Sequence, residues 1–459
     1  MSAFGSAASK VSFMVWVGPA IIVVFIAAYA LVFAEEKLHL SKSKPVMVAA
    51  GLIWILVAIA LQAEGRGAQV TSEVRIVLLQ FAELFLFLLS AMSFVNTLVE
   101  RDVFEMLRYR LMAMHLSARG VYWILGAIAF VLSPIADNLT TALVVGTVAL
   151  SAFAQNKKAV AGTLVSVVVA ANAGGAFSPF GDITTLMVWQ KGVVEFGEFF
   201  RLFLPALVSW LIPAAFIAFT IPAVRTEQRM QKVQVRTGGY VIAVLFLATI
   251  AGTVLLDHFL NLPPFLGMMM GLGLLNVYSY FLHRAEARIF ANGEDSSTLS
   301  PQSSENGRQK RPFSIFHILE NVEWDTLLFF YGIMLCVGGI GAIGYLATIS
   351  RYVYSGFGAT PANVSMGILS AIVDNIPLTF AVLTMNPDMS LGQWLLLTLT
   401  VGIGGSLLSV GSAAGVALMG IGRGSYNFTS HIKWAWAILL GFIAGVATHM
   451  LLNSASFAR

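Results

Sequence analysis

"SPIADNLTTALVV", residues 133–145, lies in a stretch with no Lys, Arg or His from Val121 to Asn156. Asp137 is therefore a carboxylate in almost wholly apolar surroundings, with no side-chain cation near it in sequence. "SAIVDNIPLTFAVL", residues 370–383, repeats the arrangement: Asp-Asn followed by Thr, again free of basic residues. Burying an unpaired carboxylate in hydrocarbon costs several kcal/mol, so such a group takes a cation from solution or becomes protonated.

The surrounding composition fixes the environment. Of 459 residues, 58% are hydrophobic and 11% charged, where soluble domains carry about a quarter charged residues. Repeated apolar runs of about 20 residues indicate an all-α polytopic membrane protein. The first run, 11–34, ends in "AYALVFA", which mimics a cleavage site. It is too long for a signal-peptide core and only Lys10 precedes it, so it reads as a true span. The lone Cys336 excludes a disulfide framework and a CxxC metal site. The net charge of +4 fits cytoplasmic loops better than nucleic acid.

Full spans read at about 12–33, 46–62, 76–98, 200–222, 239–259, 265–283, 324–348 and 434–452. Residues 121–135 and 140–154 are each too short to cross comfortably, and they predict a re-entrant hairpin with its tip at Asp137–Thr141. Residues 363–386 predict a second, with its tip at Asp374–Thr379. Residues 159–190 and 391–420 are long enough to cross, but "NAGGAFSPFGDITT" and "GIGGSLLSVGSAAG" break them in mid-membrane. The order is three spans, a hairpin, a broken helix and a final span, twice: 12–222 and 239–452. "GGAFSPFGD" (174–182) aligns with "GGSLLSVGS" (404–412). Each half crosses an odd number of times, so the second repeat is expected to be inverted.

Basic residues test that topology. With both termini outside, only Lys10, Arg66, Arg75, Lys191, Arg201, Arg351 and Arg459 of the 27 Lys and Arg face outward. This is the asymmetry that the positive-inside rule requires. The Ser-rich segment at 288–312 reads as a cytoplasmic linker.

Paired hairpins and interrupted helices are the signature of a secondary transporter whose site lies where the breaks meet. The polar residues expected there are Asp137, Asn138, Thr140, Thr141, Asn172, Ser178, Asp182, Thr184 and Thr185 from the first half. The second half gives Asp374, Asn375, Thr379, Ser406, Ser409 and Ser412. These hard oxygen donors suit a small hard cation, with Na⁺ expected at Asp137, Asn138, Thr141, Asp182 and Asp374. Gly174, Gly175, Gly404 and Gly405 are candidate hinges, or else sites of close helix packing. The alternative reading makes Asp137 and Asp374 helix N-caps, a place Asn138 and Asn375 could equally take, and Asp182 a turn former. No Walker motif, metal-ligand cluster or nucleophile elbow is present, so an enzyme is not expected, and no cofactor beyond the transported ions. Asp325 reads as a first-turn residue of its helix, Glu83 as structural, His449 as interfacial and residues 100–120 as a basic surface helix bearing His115.

"ADNLTT", "NAGGAFSPFGDITT" and "VDNIPLT" resemble the NhaD family of Na⁺/H⁺ antiporters, in the ion transporter superfamily, over roughly 12–452. The resemblance implies a bacterial inner-membrane antiporter exporting Na⁺ or Li⁺ for H⁺, often at alkaline pH. It also implies a homodimer whose hairpin-bearing domains move in an elevator-like manner. Family roles would place ion binding at Asp137, Asn138, Thr140, Thr141, Asp182, Thr184 and Asp374. Anion-transporting relatives carry Ser-Asn-Thr at the tips instead. Ser412 stands where the repeat would place a second Asp182. The rivals are a Na⁺-coupled anion symporter or arsenite-type transporter on the same fold, and a cation channel.

Overall fold

The computed structural model describes residues 2–33, 35–38, 40–113, 117–153, 156–222, 233–291, 315–320, 322–422 and 424–458. The linker beyond residue 291, His115, Arg423 and the cluster Arg225, Arg229 and Lys232 lie outside the described residues. The regular elements described are helices, and nine of those described are long and apolar enough to cross a membrane. The chain is thus an all-α polytopic membrane protein.

Two compact units divide it: residues 83–110 with 231–323, and residues 1–82, 111–230 and 324–459. In the smaller unit, Gly239–Leu260 buries one stripe, Ile242, Phe246, Thr249 and Thr253, and exposes Val244, Leu247, Leu255 and Phe259. An apolar outer face of this kind suits hydrocarbon rather than water. Two ion pairs tie this unit. Buried Arg101 meets Glu286 at 2.6 Å, and Arg236 meets Asp102 at 2.6 Å. Arg101 therefore has the matched partner that a buried charge needs.

In the larger unit, Ser43–Ala63 and Trp324–Ala342 pack together, and the Trp54 indole donates to the Leu335 carbonyl at 3.0 Å. Asp325 stands in the first turn of its helix and accepts from the Ser43 hydroxyl. That helix stops at Ala342, not 348, because Gly344 takes φ +83° and its N–H closes a turn onto the Gly341 carbonyl at 2.8 Å.

The hairpin arms are Ala118–Ala136 with Asn138–Ala152, and Ala359–Leu369 with Asn375–Met385. The first arm is longer than the sequence suggests. The Ser117 hydroxyl caps it by accepting from Gly120 N–H, and the helix runs through Pro134 to reach 19 residues, enough to cross. Pro134 has no N–H for the Phe130 carbonyl, and Gly174 lies against that same carbonyl. The broken helices are Lys157–Gly175 with Ile183–Gln190, and Leu391–Gly404 with Ala413–Ile421. Every residue from Gly162 to Gly175 and from Trp394 to Gly404 is buried, so these two helices form the core of the unit.

The same contacts occur in both halves. Ser133 Oγ donates to the Ala171 carbonyl at 2.6 Å, and Ser370 Oγ to the Val401 carbonyl at 2.9 Å. A Cβ on Gly174 would strike the Phe130 carbonyl, and one on Gly404 would strike the Gly367 carbonyl. Asp182 and Ser412 each N-cap the second half of a broken helix.

His449, in the last turn of Ala435–Leu452, is fully buried. Its Nε2 bonds the Gly392 carbonyl at 3.0 Å and its Nδ1 accepts from Asn453 at 2.9 Å. Both ring nitrogens thus have partners inside the protein.

Candidate cation site

The hairpin tips and both helix breaks meet at Asp182, which is 4% exposed. The break places it there: the chain leaves helical geometry after Gly175, and Asp182 restarts it as an extended N-cap at φ −148°. Its Oδ1 accepts from the Thr184 N–H at 2.9 Å and the Thr184 hydroxyl at 3.1 Å. Its Oδ2 accepts from Asn138 Nδ2 and Asn375 Nδ2, each at 3.1 Å. Four neutral donors from three segments thus hold one carboxylate. Among the described residues no ion pair reaches it.

Asn172 ties the two breaks together. Fully buried, it accepts from Asn138 Nδ2 at 3.1 Å. It donates to Ser406 Oγ at 2.8 Å and Ser412 Oγ at 2.9 Å. Asp182, Asn138, Asn375, Asn172, Ser406, Ser412 and Thr184 therefore form one hydrogen-bonded cluster.

The other two aspartates cap helices. Asp137 sits at φ +59° and ψ 163°, a strained junction between the arms. Its oxygens accept from the Thr140 N–H and hydroxyl, both at 2.8 Å. Asp374 accepts from the Ile376 N–H at 3.2 Å. Both are half-buried. Among the described residues Asp374 joins no ion pair.

Among the hydroxyls, Thr141 Oγ1 and Ser409 Oγ are buried and have no hydrogen-bond partner. Buried polar atoms are almost always paired, which sets these two apart from the other hydroxyls. Ser178 is engaged with the Pro134 carbonyl at 2.9 Å, and Thr185 with the Asp182 carbonyl at 2.6 Å. Thr379 bonds back to the Asn375 carbonyl at 3.0 Å. Gly174, Gly175 and Gly404 end their helices and Gly405 follows at φ −56°. None of the four takes a positive φ.

Three residues near the site carry no motif. The Tyr29 hydroxyl, from the first helix, accepts from the Asp374 N–H at 3.0 Å. Tyr426 and His431 lie beneath Ser406. A lone Tyr in "AAYALVFA" and a His just ahead of the last span were the only traces of them in the sequence.

A family model described as a citrate transporter matches residues 13–289 and 308–402. The chain is 49% identical over 446 residues to the Na⁺/H⁺ antiporter NhaD of Alkalimonas amylolytica, covering 96% of this chain and 92% of that one. To the NhaD of Vibrio cholerae serotype O1 it is 46% identical over 446 residues, covering 96% and 93%. To the sodium/proton antiporter 1 of Arabidopsis thaliana it is 30% identical over 455 residues, covering 95% and 73%. With near full-length matches on both sides, and the motif residues gathered at one buried carboxylate, the chain belongs to the NhaD family, within the family described by the citrate-transporter model.

Proposed function

We propose that this protein exchanges cytoplasmic Na⁺ or Li⁺ for external H⁺, with Asp182 as the group the two ions share. The observation that carries this is a buried carboxylate held by four neutral donors and joined by no ion pair among the described residues. Without a cation, the amides of Asn138 and Asn375 satisfy Oδ2. A Na⁺ that arrives shorn of water needs oxygens. Turning either amide presents its Oδ1, and the unpartnered hydroxyls of Thr141 and Ser409 are available without breaking a bond. A proton arriving instead neutralises the carboxyl and removes the reason for the cation to stay.

Competition of this kind has a kinetic signature. Where the carboxyl is mostly protonated, the KM for Na⁺ should climb about tenfold for each pH unit of acidification, with the maximal rate unchanged. In inverted vesicles carrying an imposed acid interior, added Na⁺ should dissipate the gradient saturably. A Na⁺-coupled anion symporter, the reading that the citrate-transporter description favours, would do so only with an anion present. Three aspartates around the site argue against an anion. If more than one H⁺ moves per Na⁺, 100 mV supplies about 2.3 kcal/mol per net charge. That exceeds the about 1.4 kcal/mol of a tenfold Na⁺ gradient.

The remaining parts of the reading rest on the resemblance and on sequence. Inverted repeats at 12–222 and 239–452 follow from the paired motifs and the odd number of crossings in each half. An inner-membrane location, elevator-like movement and a homodimer follow from the NhaD resemblance, and the outward placement of both termini from the Lys and Arg asymmetry.

The capping aspartates differ in what their charge does. Asp137→Asn and Asp374→Asn both keep a good N-cap. Asp374 accepts a single backbone N–H at 3.2 Å, whereas Asp137 is held at 2.8 Å by both the N–H and the hydroxyl of Thr140. Asp374→Asn should raise the Na⁺ KM about tenfold, the effect of about 1.4 kcal/mol. Asp137→Asn should stay within about threefold of the parent, since its two oxygens serve Thr140. Equal KM values for the two variants would refute the assignment.

A further inference from the structure

We infer that His431, through the Ser406 carbonyl, is a positioning residue that sets the size of the cation cage and so its preference among monovalent ions. The inference rests on the antiport reading above. His431 and Tyr426 are 0% and 1% exposed. His431 Nε2 lies 2.8 Å from the Ser406 carbonyl, which can only accept, so Nε2 carries the proton. In the neutral ring Nδ1 is then an acceptor, and the Tyr426 hydroxyl donates to it at 2.7 Å. The short helix Phe428–Ile432 that carries His431 is locked by a reciprocal Asn427–Ser430 capping box. The imidazole is thus a fixed strut with both nitrogens committed.

What it braces is the break in the second broken helix. Helix Leu391–Gly404 ends just before Ser406, which leaves carbonyls without helical partners. His431 takes the Ser406 carbonyl, while Ser406 Oγ faces the other way and accepts from Asn172 Nδ2 at 2.8 Å. Asn172 in turn holds Asn138 against Asp182. One line of hydrogen bonds therefore runs from the Tyr426 ring to the carboxylate. The aligned position in the first broken helix is Ala176, which has no side-chain hydroxyl to hold Asn172. A small ion needs ligands that close in on it, so slackening this line should penalise Li⁺ more than Na⁺.

Two substitutions divide the imidazole between them. His431→Gln can still reach the Ser406 carbonyl with a donor but loses the acceptor at Nδ1. His431→Asn can still accept from Tyr426 but does not reach Ser406. Losing a buried hydrogen bond of this kind is worth about five- to a hundredfold in affinity. His431→Asn should raise the KM for Li⁺ about tenfold and that for Na⁺ about threefold, with the maximal rate per folded protein within about twofold. His431→Gln, which keeps the Ser406 bond and loses only the one to Tyr426, should shift the Li⁺/Na⁺ ratio of KM values by less than His431→Asn does. Tyr426→Phe keeps the ring in place and should give a smaller shift of the same sign, so the test survives if His431→Asn fails to fold. An unchanged Li⁺/Na⁺ ratio in His431→Asn or in Tyr426→Phe, or a His431→Gln variant as altered as His431→Asn, would overturn the inference while the parent still exchanges Na⁺ for H⁺. A parent that moves no protons on addition of Na⁺ would overturn the antiport reading itself.

Discussion

Asp182→Asn should abolish exchange, leaving under about 1% of the parent activity at equal protein level. The substitution is nearly isosteric and Asn is as good an N-cap as Asp, so helix Ile183–Gln190 should still start at this residue. What disappears is the charge and one acceptor. Removing one partner of a buried, hydrogen-bonded charge pair costs 2–5 kcal/mol, which at about 3 kcal/mol is already about a hundredfold in affinity. The new amide also brings its own N–H₂ toward donors that were arranged for a carboxylate, Asn138 and Asn375. Asp182→Glu separates the two effects. It keeps the charge but lengthens the side chain into a fully packed break, and some exchange with a much raised KM is expected. The measurement is Na⁺-dependent proton movement in inverted vesicles, with Na⁺ binding to the purified protein as the second readout. Exchange within about threefold of the parent in Asp182→Asn would remove this residue from the mechanism, and the proposed function with it.

The emphasis on Asp182 differs from what the bare sequence suggests, and the reason is local. Asp137 and Asp374 draw the eye because no cation is near them in sequence, and Asn138 and Asn375 are expected beside them in the site. Asn138 and Asn375 touch Asp182, whereas Asp137 spends both oxygens on Thr140. Asp182 is an N-cap too, but it caps with Oδ1 and leaves Oδ2 to Asn138 and Asn375. Sequence spacing alone does not separate those roles. The broken helices were legible within two residues at each end, since Gly-Gly and Ser-Pro interrupt otherwise unbroken apolar runs. The first hairpin arm, expected over 121–135, begins three residues earlier, because Arg119 and Gly120 break the apolar run that Ser117 nevertheless caps as helix. Tyr29, Tyr426 and His431 were not legible as site residues. Tyr29 meets Asp374 across a large sequence separation, His431 meets a backbone carbonyl and Tyr426 touches only His431, and none of these contacts leaves a motif.

Gly404→Val should prevent the protein from accumulating in the membrane. A Cβ at residue 404 would lie inside the van der Waals radius of the Gly367 carbonyl oxygen, with the Gly367 Cα itself within 3.1 Å. The obstacle is backbone on an opposing helix, not a side chain that can rotate away, so the hairpin arm Ala359–Leu369 and the broken helix Leu391–Gly404 would have to separate. Separation breaks the Ser370–Val401 and Thr400–Asn363 hydrogen bonds that cross the same contact, at 2.9 Å each. With overpacking costing about 1–3 kcal/mol and each buried bond about 1 kcal/mol more, the loss approaches the whole stability of a typical domain. Gly174→Val meets the Phe130 carbonyl in the same way and should fail equally. Gly420→Val, on the neighbouring half-helix, meets nothing within 4 Å and serves as the control that should fold and exchange normally. Membrane-fraction yield and thermal melting of solubilised protein report the outcome. Normal yield and melting for Gly404→Val would mean that the two helices do not touch at this residue, and that these glycines serve movement and not contact.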